Sequence, residues 1–214
     1  MRSLERKMSS EEGIPATAAA ADGQTIQLWT AQAPVVVDTI RRDGVSMVKR
    51  EYIDAKYGEV AWSFKTAYSF FTQWAQQRVP KPEGADSAIW LYRSQDYSYP
   101  APGGYSLMLE VPRDKCVLFD LRVWNKILNL HYVGDSREDE RAFQKELDRI
   151  GVRQPADLFS TPFYPVQKRK VQDSWQKLFT SAENCPDRYI QAGVWELRQE
   201  WVKFCVRIED IGQD

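Results

Sequence analysis

The stretch Ile26–Gly44, with the sequence IQLWTAQAPVVVDTIRRDG, constrains the fold of this chain more than any other. Its first residues follow the two-residue period of a short strand. Pro34 suits the first turn of a helix, and Gly44 can end that helix by adopting a positive φ. The stretch therefore predicts a strand joined directly to a helix. The polar residues Thr30 and Gln32 would lie at the junction, where α/β and α+β folds often build sites.

Hydrophobic periodicity along the rest of the chain predicts more strands and helices. The predicted strands cover residues 88–93, 105–111, 117–120, 189–197 and 201–208. The predicted helices run from a cap at Ser63 to near Arg78, from a cap at Asp120 to His131, from Ser136 to Ile150, and over residues 171–182. Residues 152–168 hold three prolines and little periodicity, which is typical of a long surface connection.

These elements predict one α+β domain over residues 25–214, preceded by a flexible leader over residues 1–24. We expect a mixed or antiparallel central sheet flanked by about five helices. A cleft is expected at the ends of the first and last strands, with the strand over residues 189–197 forming the wall opposite Thr30 and Gln32.

Composition excludes several classes of protein. The net charge of −1 offers no general attraction to nucleic acid, so phosphate binding would need a local basic patch such as Lys168–Lys170. The sequence has no apolar run near the roughly 20 residues of a membrane span and no signal-peptide core, so we expect a cytoplasmic protein. Three cysteines and one histidine lack the spacing of a zinc site.

The common catalytic motifs are absent from the sequence. It contains no GxGxxG, GxxxxGK(S/T), HExxH or GxSxG, which removes the usual grounds for several large enzyme classes. A triad that depends on histidine could use only His131, which the pattern places on an apolar helix face as a packing residue. What remains is carboxylate or amide chemistry in a cleft built from the abundant aromatic residues.

Six segments of the chain form a recognisable set: LWTAQ, AYSFFTQWA, IWLY, the run from Leu109 to Asn129, VQDSWQKLF and IQAGVWEL. In these segments the chain resembles an uncharacterised bacterial family, domain-of-unknown-function family 3841. The resemblance covers nearly everything from Ile26 onward. It implies membership of the family and no activity, because the family carries none that is established.

The order of these segments also resembles that of ADP-ribosyltransferase-like toxins. In those enzymes a first strand holds the ribose of NAD, a second segment carries Tyr or Ser, and a late strand carries the catalytic Glu. The resemblance implies an NAD-dependent ADP-ribosyltransferase-like fold and activity, with NAD as substrate and no metal. It also implies a toxin or anti-phage defence effector that modifies nucleic acid or protein and has an antitoxin or operon partner. The cofactor-binding residues would be Trp29, Thr30, Gln32, Ser63 and Tyr68, and the catalytic residue would be Glu196 or Gln191.

The chemistry implied by this resemblance depends on a carboxylate. Glu196 would stabilise the positive charge that develops on the ribose as its bond to nicotinamide breaks, as carboxylates do in glycoside hydrolysis. Trp29 or Tyr68 could stack on the nicotinamide ring. The segment LWTAQ departs from the toxins because it lacks His and Arg, and Gln191 at the catalytic position would remove or alter the activity.

Two other functions also fit the sequence. A module that binds nucleotides or modified bases would combine an aromatic cage with amide hydrogen bonds and phosphate contacts. Its side chains would be Trp29, Trp62, Trp90, Trp124, Gln32, Gln191 and the basic run Lys168–Lys170. A partner-docking protein of a defence or toxin–antitoxin operon would instead expose part of the aromatic surplus. Core packing is the simpler role for each tryptophan, above all Trp90 and Trp124, which lie on predicted apolar faces.

Overall fold

The computed structural model describes residues 24–48 and 61–208. Eight strands form two antiparallel sheets in this part of the chain. They are β1 (Thr25–Gln32), β2 (Val45–Met47), β3 (Ile89–Tyr92), β4 (Tyr105–Pro112), β5 (Val117–Asp120), β6 (Ile190–Val194), β7 (Glu196–Arg198) and β8 (Val202–Arg207). The large sheet has the order β5-β6-β3-β1-β4-β8, and β2 pairs with β7 in the small one.

Six α-helices accompany the sheets within the described residues. They are α1 (Pro34–Asp43), α2 (Ala61–Ala75), α3 (Leu121–Leu128), α4 (Arg137–Arg149), α5 (Pro155–Phe159) and α6 (Pro165–Ser174). The predicted α+β class is confirmed, and the central sheet is antiparallel throughout. None of these helices is both long and apolar enough to cross a membrane.

The predicted unit of strand and helix at the start of the domain is confirmed. Pro34 opens α1, and Gly44 ends it with φ 77° while its N–H donates to the carbonyl oxygen of Ile40 at 2.9 Å. Val37 and Ile40 are the buried residues of this helix. Glycine adopts this left-handed conformation without the steric cost that a Cβ brings, which is why the helix stops there.

The large sheet separates two hydrophobic clusters. On one face, Val37 and Ile40 of α1 pack with Leu28, Leu91 and Leu107 of the strands. On the opposite face, strand residues such as Phe119 pack under side chains of the later helices. The buried helical residues of this second cluster include Phe71, Trp124, Phe143, Leu147, Leu158 and Val171. The sheet is therefore the common wall of both halves of the core.

Two predicted helix caps are confirmed by hydrogen bonds. The carboxylate of Asp120 accepts from the N–H of Arg122 at 2.8 Å at the start of α3. The hydroxyl of Ser136 accepts from the N–H of Asp139 at 3.1 Å at the start of α4. Both side chains satisfy N–H groups that the first turn of a helix leaves without a partner.

Two other helix boundaries were predicted wrongly. Ser63 lies inside α2 and does not cap it, because helical backbone already starts at Ala61. His131 lies beyond the end of α3, where Leu130 adopts φ 56°, and its side chain is exposed. Its contribution to packing comes through its carbonyl oxygen, which accepts from the indole N–H of Trp175 at 2.8 Å.

Three longer segments also differ from the prediction. Residues 152–168 contain α5 and the start of α6, where Pro155 and Pro165 each occupy the first helical turn and so permit the helix. The helix predicted over residues 171–182 ends as an α-helix at Ser174 and continues as 3-10 helix over Trp175–Thr180. The strand predicted over residues 189–197 is divided between the two sheets.

Part of the predicted organisation lies outside the described residues. This applies to the leader over residues 1–24, except for Gln24, and to residues 49–60 and 209–214 of the predicted domain. The first strand and the late strand, which were expected to form two walls of a cleft, are β1 and β6. They are separated in the sheet by β3.

Candidate functional site

One line of paired residues crosses the large sheet at right angles to its strands. In antiparallel sheets, directly opposite residues project from the same face. The pairs Phe119 with Gln191, Gln191 with Tyr92, Tyr92 with Trp29, Trp29 with Met108 and Met108 with Phe204 connect all six strands. We call these six residues the aromatic row. It lies on the face opposite α1, because Leu28 of the α1 cluster is the neighbour of Trp29 along β1.

The two ends of the aromatic row have different surroundings. Phe119 is fully buried and lies 5.4 Å from the ring of Phe71 on α2. Trp29, Met108 and Phe204, at the other end, pack against neither hydrophobic cluster within the described residues. The rings of Trp29 and Phe204 lie 6.4 Å apart with planes 68° apart, and Phe204 is 37% exposed. The outer half of the row is thus an aromatic surface that the core of the protein does not use.

Gln191 is the polar member of the row. It is 1% exposed, and its amide oxygen accepts no hydrogen bond from the part of the chain that the structure describes. Ser106 projects from the same face two residues before Met108, and its buried hydroxyl also has no partner there. A buried polar atom without a partner costs about 1–3 kcal/mol, so each such atom calls for a ligand, a water or a functional reason.

A second group of aromatic and basic side chains adjoins Tyr92. The ring of Tyr97 stacks on Tyr92 with centroids 6.1 Å apart, and Tyr97 also contacts Tyr189 at 6.4 Å. The guanidinium groups of Arg122 and Arg188 lie 4.5 and 4.6 Å from the centre of the Tyr189 ring. We call these five residues the tyrosine–arginine cluster. It combines flat rings with positive charge, which suits a ligand that carries both a ring and an anionic group.

The two arginines of this cluster differ in their electrostatic surroundings. Arg122 forms an ion pair with the buried carboxylate of Asp120, with the closest N–O distance at 2.6 Å. Burial acts to raise the pKa of Asp120, but the hydrogen bonds from Arg122 outweigh it and hold this pKa below its ordinary value. Arg188 is exposed, and no carboxylate within the described residues pairs with it. Arg188 is therefore the arginine available to an anionic ligand.

Cys185 lies beside the same ion pair. Burial raises the pKa of its thiol to about 11, and the negative charge of Asp120 adds to the effect. The thiol thus stays protonated at neutral pH, and a protonated thiol is a poor nucleophile.

The structure places the predicted NAD-binding residues on both faces of the sheet. The Thr30 hydroxyl donates to the carbonyl oxygen of Trp90 at 3.0 Å and accepts from the Gln32 amide at 2.8 Å. Thr30 shares its face with Leu28 and α1, whereas Trp29 and Gln191 belong to the aromatic row on the other face. Strand alternation therefore brings Thr30 and Gln32 together and separates them from Trp29 and Gln191.

The remaining residues of the predicted NAD site belong to other elements. Glu196 lies in β7, where its carboxylate accepts from the Arg198 guanidinium at 2.6 Å. Tyr68 packs on Trp90 and Trp124 in the helical cluster at 5.4 and 6.0 Å, and Ser63 lies in the first turn of α2. The described residues do not gather the predicted set into one cleft, and the catalytic role of Glu196 or Gln191 stays a prediction.

The predicted aromatic cage is also distributed over the molecule. Trp90 and Trp124 contact each other at 4.8 Å in the helical cluster, while Trp62 is 43% exposed on α2. Only Trp29 and Gln191 of the predicted cage belong to the aromatic row. Met108 and Phe204 were not singled out by sequence reasoning, although the period of their strands was visible. Their meeting depends on the pairing register, which no local pattern shows.

The basic run Lys168–Lys170, which was expected to contact phosphate, lies on α6. In the basic run on α6, Lys170 pairs with Glu146 at 2.8 Å, and Lys168 donates to the carbonyl oxygen of Thr161. Arg169 lies 3.8 Å from Asp173. Among the described residues, no three side chains of His, Cys, Asp or Glu are grouped so that they could hold a metal ion.

Comparison with known proteins identifies a family and no characterised relative. A family model described as "Domain of unknown function (DUF3841)" matches residues 27–203. This range includes β2 to β7 entirely, all but the first two residues of β1, and the first two residues of β8. No curated protein and no solved structure matches the chain.

Proposed function

The chain belongs to the DUF3841 family, and we propose that it binds single-stranded nucleic acid by stacking bases on the aromatic row. The observation that carries this proposal is the register that aligns Tyr92, Trp29, Met108 and Phe204 across four strands. The outer members of this line pack against neither hydrophobic cluster in the described residues. Aromatic side chains on a sheet face are a recurrent platform for unpaired bases.

The dimensions of the row fit a short segment of a strand. From β6 to β8 the row crosses four strand spacings, which amount to roughly 19 Å at about 4.8 Å each. Several successive bases can be distributed over such a length. Trp29 and Phe204 offer ring faces or edges, and Met108 between them offers a flexible, polarisable surface. Stacking on these groups tolerates different bases, because every base has a flat face.

Hydrogen bonding at the inner end of the row would add selectivity. The amide oxygen of Gln191 has no donor within the described residues. Gln191 is 1% exposed, so a base would reach this oxygen only when neighbouring side chains move aside, and an amino or imino group of the base would then donate to it. Gln191 lies directly opposite Tyr92, on which Tyr97 stacks. A base at this end would therefore meet both an aromatic ring and a hydrogen-bond acceptor. This combination distinguishes base recognition from general apolar contact.

The tyrosine–arginine cluster would supply the phosphate contact. Arg188 is exposed beside the Tyr189 ring and pairs with no carboxylate in the described part of the chain. A guanidinium group matches the geometry of a phosphate and can stack on an aromatic ring at the same time. Arg122 would instead hold Tyr189 in place, because its charge is already paired with Asp120.

Fluorescence anisotropy with labelled single strands of about six nucleotides tests the proposal, since one stacking site covers about that length. We expect the wild-type protein to bind at least one of poly-U, poly-A and poly-C. Trp29→Ala and Phe204→Ala should each weaken binding about 5- to 150-fold, because one stacked base contributes about 1–3 kcal/mol. Free nucleoside monophosphates, measured in parallel, should bind more weakly than the strands because they occupy one position of the row.

Matched variants control for the loss of an exposed aromatic side chain. Trp62→Ala and Phe163→Ala remove residues that are 43% and 66% exposed and lie outside the aromatic row. Both should bind the strands as the wild type does. The proposal is wrong if no strand binds at millimolar concentration, or if the row variants and the control variants have the same affinity.

The NAD-dependent transferase stays a prediction, and the same preparation tests it. Release of free nicotinamide from NAD in the presence of cell lysate is the readout. The base-binding proposal expects none. Turnover that Glu196→Gln abolishes would show that a carboxylate now paired with Arg198 performs the chemistry, and it would replace base binding as the main function.

A further inference from the structure

We propose that an amide-lined cleft between α2 and α6 binds a neutral carbohydrate. The cleft has a volume of about 520 Å³ and lies between one side of α2 and the segment 172–176. A second cleft of about 330 Å³ follows the other side of α2. Ser69 and Gln73 belong to the walls of both clefts, so the two form a continuous feature around the exposed ridge of this helix.

The walls of the larger cleft are rich in side-chain amides. Gln73, Gln172 and Gln176 are exposed, and their amide groups make no hydrogen bond within the described residues. Each terminal amide offers two donors and one acceptor, so it can bond a hydroxyl group in either sense. Three such groups around one cleft match a ligand that presents several hydroxyls, each of which both donates and accepts.

The floor of the cleft is aromatic. Phe70 is 8% exposed, and its ring lies 6.5 Å from that of Trp74, which is partly exposed. The indole N–H of Trp74 donates to no acceptor in the described part of the chain. A sugar ring has an apolar C–H face and a polar hydroxyl rim, so it can pack on such a floor while its hydroxyls reach the amides. An aromatic residue with one polar group suits this mixed contact.

The charges around the cleft favour a neutral ligand. Asp173 is the acidic residue of the lining, and it lies 3.8 Å from the guanidinium group of Arg169. Lys65 brings one positive charge to the opposite wall. Among the described residues, the lining thus holds one acidic and one basic side chain, with Arg169 beside the acidic one, so no cluster of like charges selects an anion or a cation. None of the described residues that line the cleft belongs to the aromatic row, so the two sites use different side chains.

Titration of the isotope-labelled protein with neutral trisaccharides tests the proposal. The probes are maltotriose, cellotriose and chitotriose, and the readout is the side-chain amide resonances of Gln73, Gln172 and Gln176. We expect one trisaccharide to shift these resonances in a saturable manner. Gln176→Ala should weaken binding about fivefold, because one hydrogen bond contributes about 1 kcal/mol. Gln77→Ala, in the turn that follows α2 and outside both clefts, should leave the affinity unchanged.

The outcomes separate this site from the aromatic row. Trp29→Ala should bind the trisaccharide as the wild type does, whatever its affinity for nucleic acid. The proposal is overturned if no trisaccharide shifts the three glutamine resonances, or if Gln176→Ala and Gln77→Ala bind with equal affinity. A neutral peptide that displaces the trisaccharide and binds more tightly would also overturn it, because the cleft would then be a peptide site.

Discussion

Asp120 links a helix cap to the tyrosine–arginine cluster. Its carboxylate accepts from the N–H of Arg122 at the start of α3 and pairs with the Arg122 guanidinium, which lies over Tyr189. The Ser181 hydroxyl accepts from the N–H of Asp120 at 2.8 Å. The cap was predictable from the sequence, because Asp120 directly precedes a run with the apolar periodicity of a helix. The contact with Tyr189 was not, because it joins residues 67 positions apart in sequence.

Removal of this guanidinium should destabilise the protein in a pH-dependent way. Arg122→Gln leaves a buried carboxylate with fewer donors, which costs about 1–3 kcal/mol of unfolding free energy near neutral pH. In the wild type the pKa of Asp120 is lowered, so its contribution is complete above the unfolded-state pKa of about 3.9 and is lost as the pH falls through the folded-state value. In the Arg122→Gln variant, the burial of Asp120 outweighs its remaining hydrogen bonds and raises the folded-state pKa of this carboxyl group. Ionisation of Asp120 then lowers the free energy of unfolding as the pH rises.

Urea unfolding from pH 3 to pH 7 measures this effect. The difference in unfolding free energy between wild type and Arg122→Gln should be smallest near pH 3, grow with pH, and reach a plateau above the raised pKa. Arg188→Gln is the matched control, because Arg188 also lies on Tyr189 but pairs with no carboxylate in the described residues. A difference that is the same at every pH would show that Asp120 does not depend on Arg122 for its charge.

Local sequence patterns predicted helices and strands well where residues within the element itself determine its boundaries. The helix α1 starts at Pro34 and stops at Gly44 because both residues act through their own backbone conformation. The segment 189–197 shows the opposite case. It was predicted as one strand, but the Trp195 indole N–H donates to the carbonyl oxygen of Val79 at 2.8 Å, and β7 then pairs with β2. Val79 lies 116 residues before Trp195 in the sequence, so no local pattern reveals this contact.

Gly193 fixes how closely α2 approaches the sheet. A Cβ at this position of β6 would lie 2.5 Å from the ring of Phe71, which is 1% exposed and surrounded by other rings. Gly193→Ala should therefore lower the unfolding free energy by about 1–3 kcal/mol, the usual cost of overpacking a buried site. Urea denaturation monitored by tryptophan fluorescence measures this loss.

A double variant distinguishes overpacking from a general loss of strand stability. Phe71→Leu removes the ring atoms that the new Cβ would meet, at the cost of its own buried contacts. In the Phe71→Leu background, Gly193→Ala should be close to neutral, which gives a favourable coupling between the two substitutions. Losses that simply add would mean that Gly193 acts through its backbone and not through the approach of α2.

At the scale of the whole molecule, the sheet is covered unevenly. The later helices pack on β3, β5 and β6, and the α1 side of the sheet carries its own cluster. The outer part of the aromatic row, on β1, β4 and β8, is the part of the sheet that neither cluster covers within the described residues. Trp29 and Gln191 were named from the sequence, but their alignment with Tyr92, Met108 and Phe204 results from pairing among six strands. A binding surface that depends on the pairing register of several strands is therefore harder to predict from the sequence than the strands themselves.

The charge of the whole molecule limits how nucleic acid can bind. The chain has 29 Lys and Arg against 30 Asp and Glu, so attraction to phosphate must come from a few local cations. Near the row these are Arg188 at one end and Lys203 at the other, and Lys203 lies 3.8 Å from Glu110. The basic run Lys168–Lys170 lies on α6, where its lysines contact Glu146 and Thr161. We therefore expect one or two phosphate contacts, with stacking as the main source of affinity.

This balance predicts a shallow dependence of affinity on salt. Each phosphate contact contributes a slope of about −0.7 to log K against log salt for a single strand. An increase from about 50 to about 200 mM salt should thus weaken binding about 2.6-fold for one contact and about sevenfold for two. Arg188→Gln should reduce the slope by about 0.7, whereas Arg169→Gln on α6 should leave it unchanged. A loss of about 100-fold over the same range would require five contacts, and binding would then depend on a basic surface instead of the aromatic row.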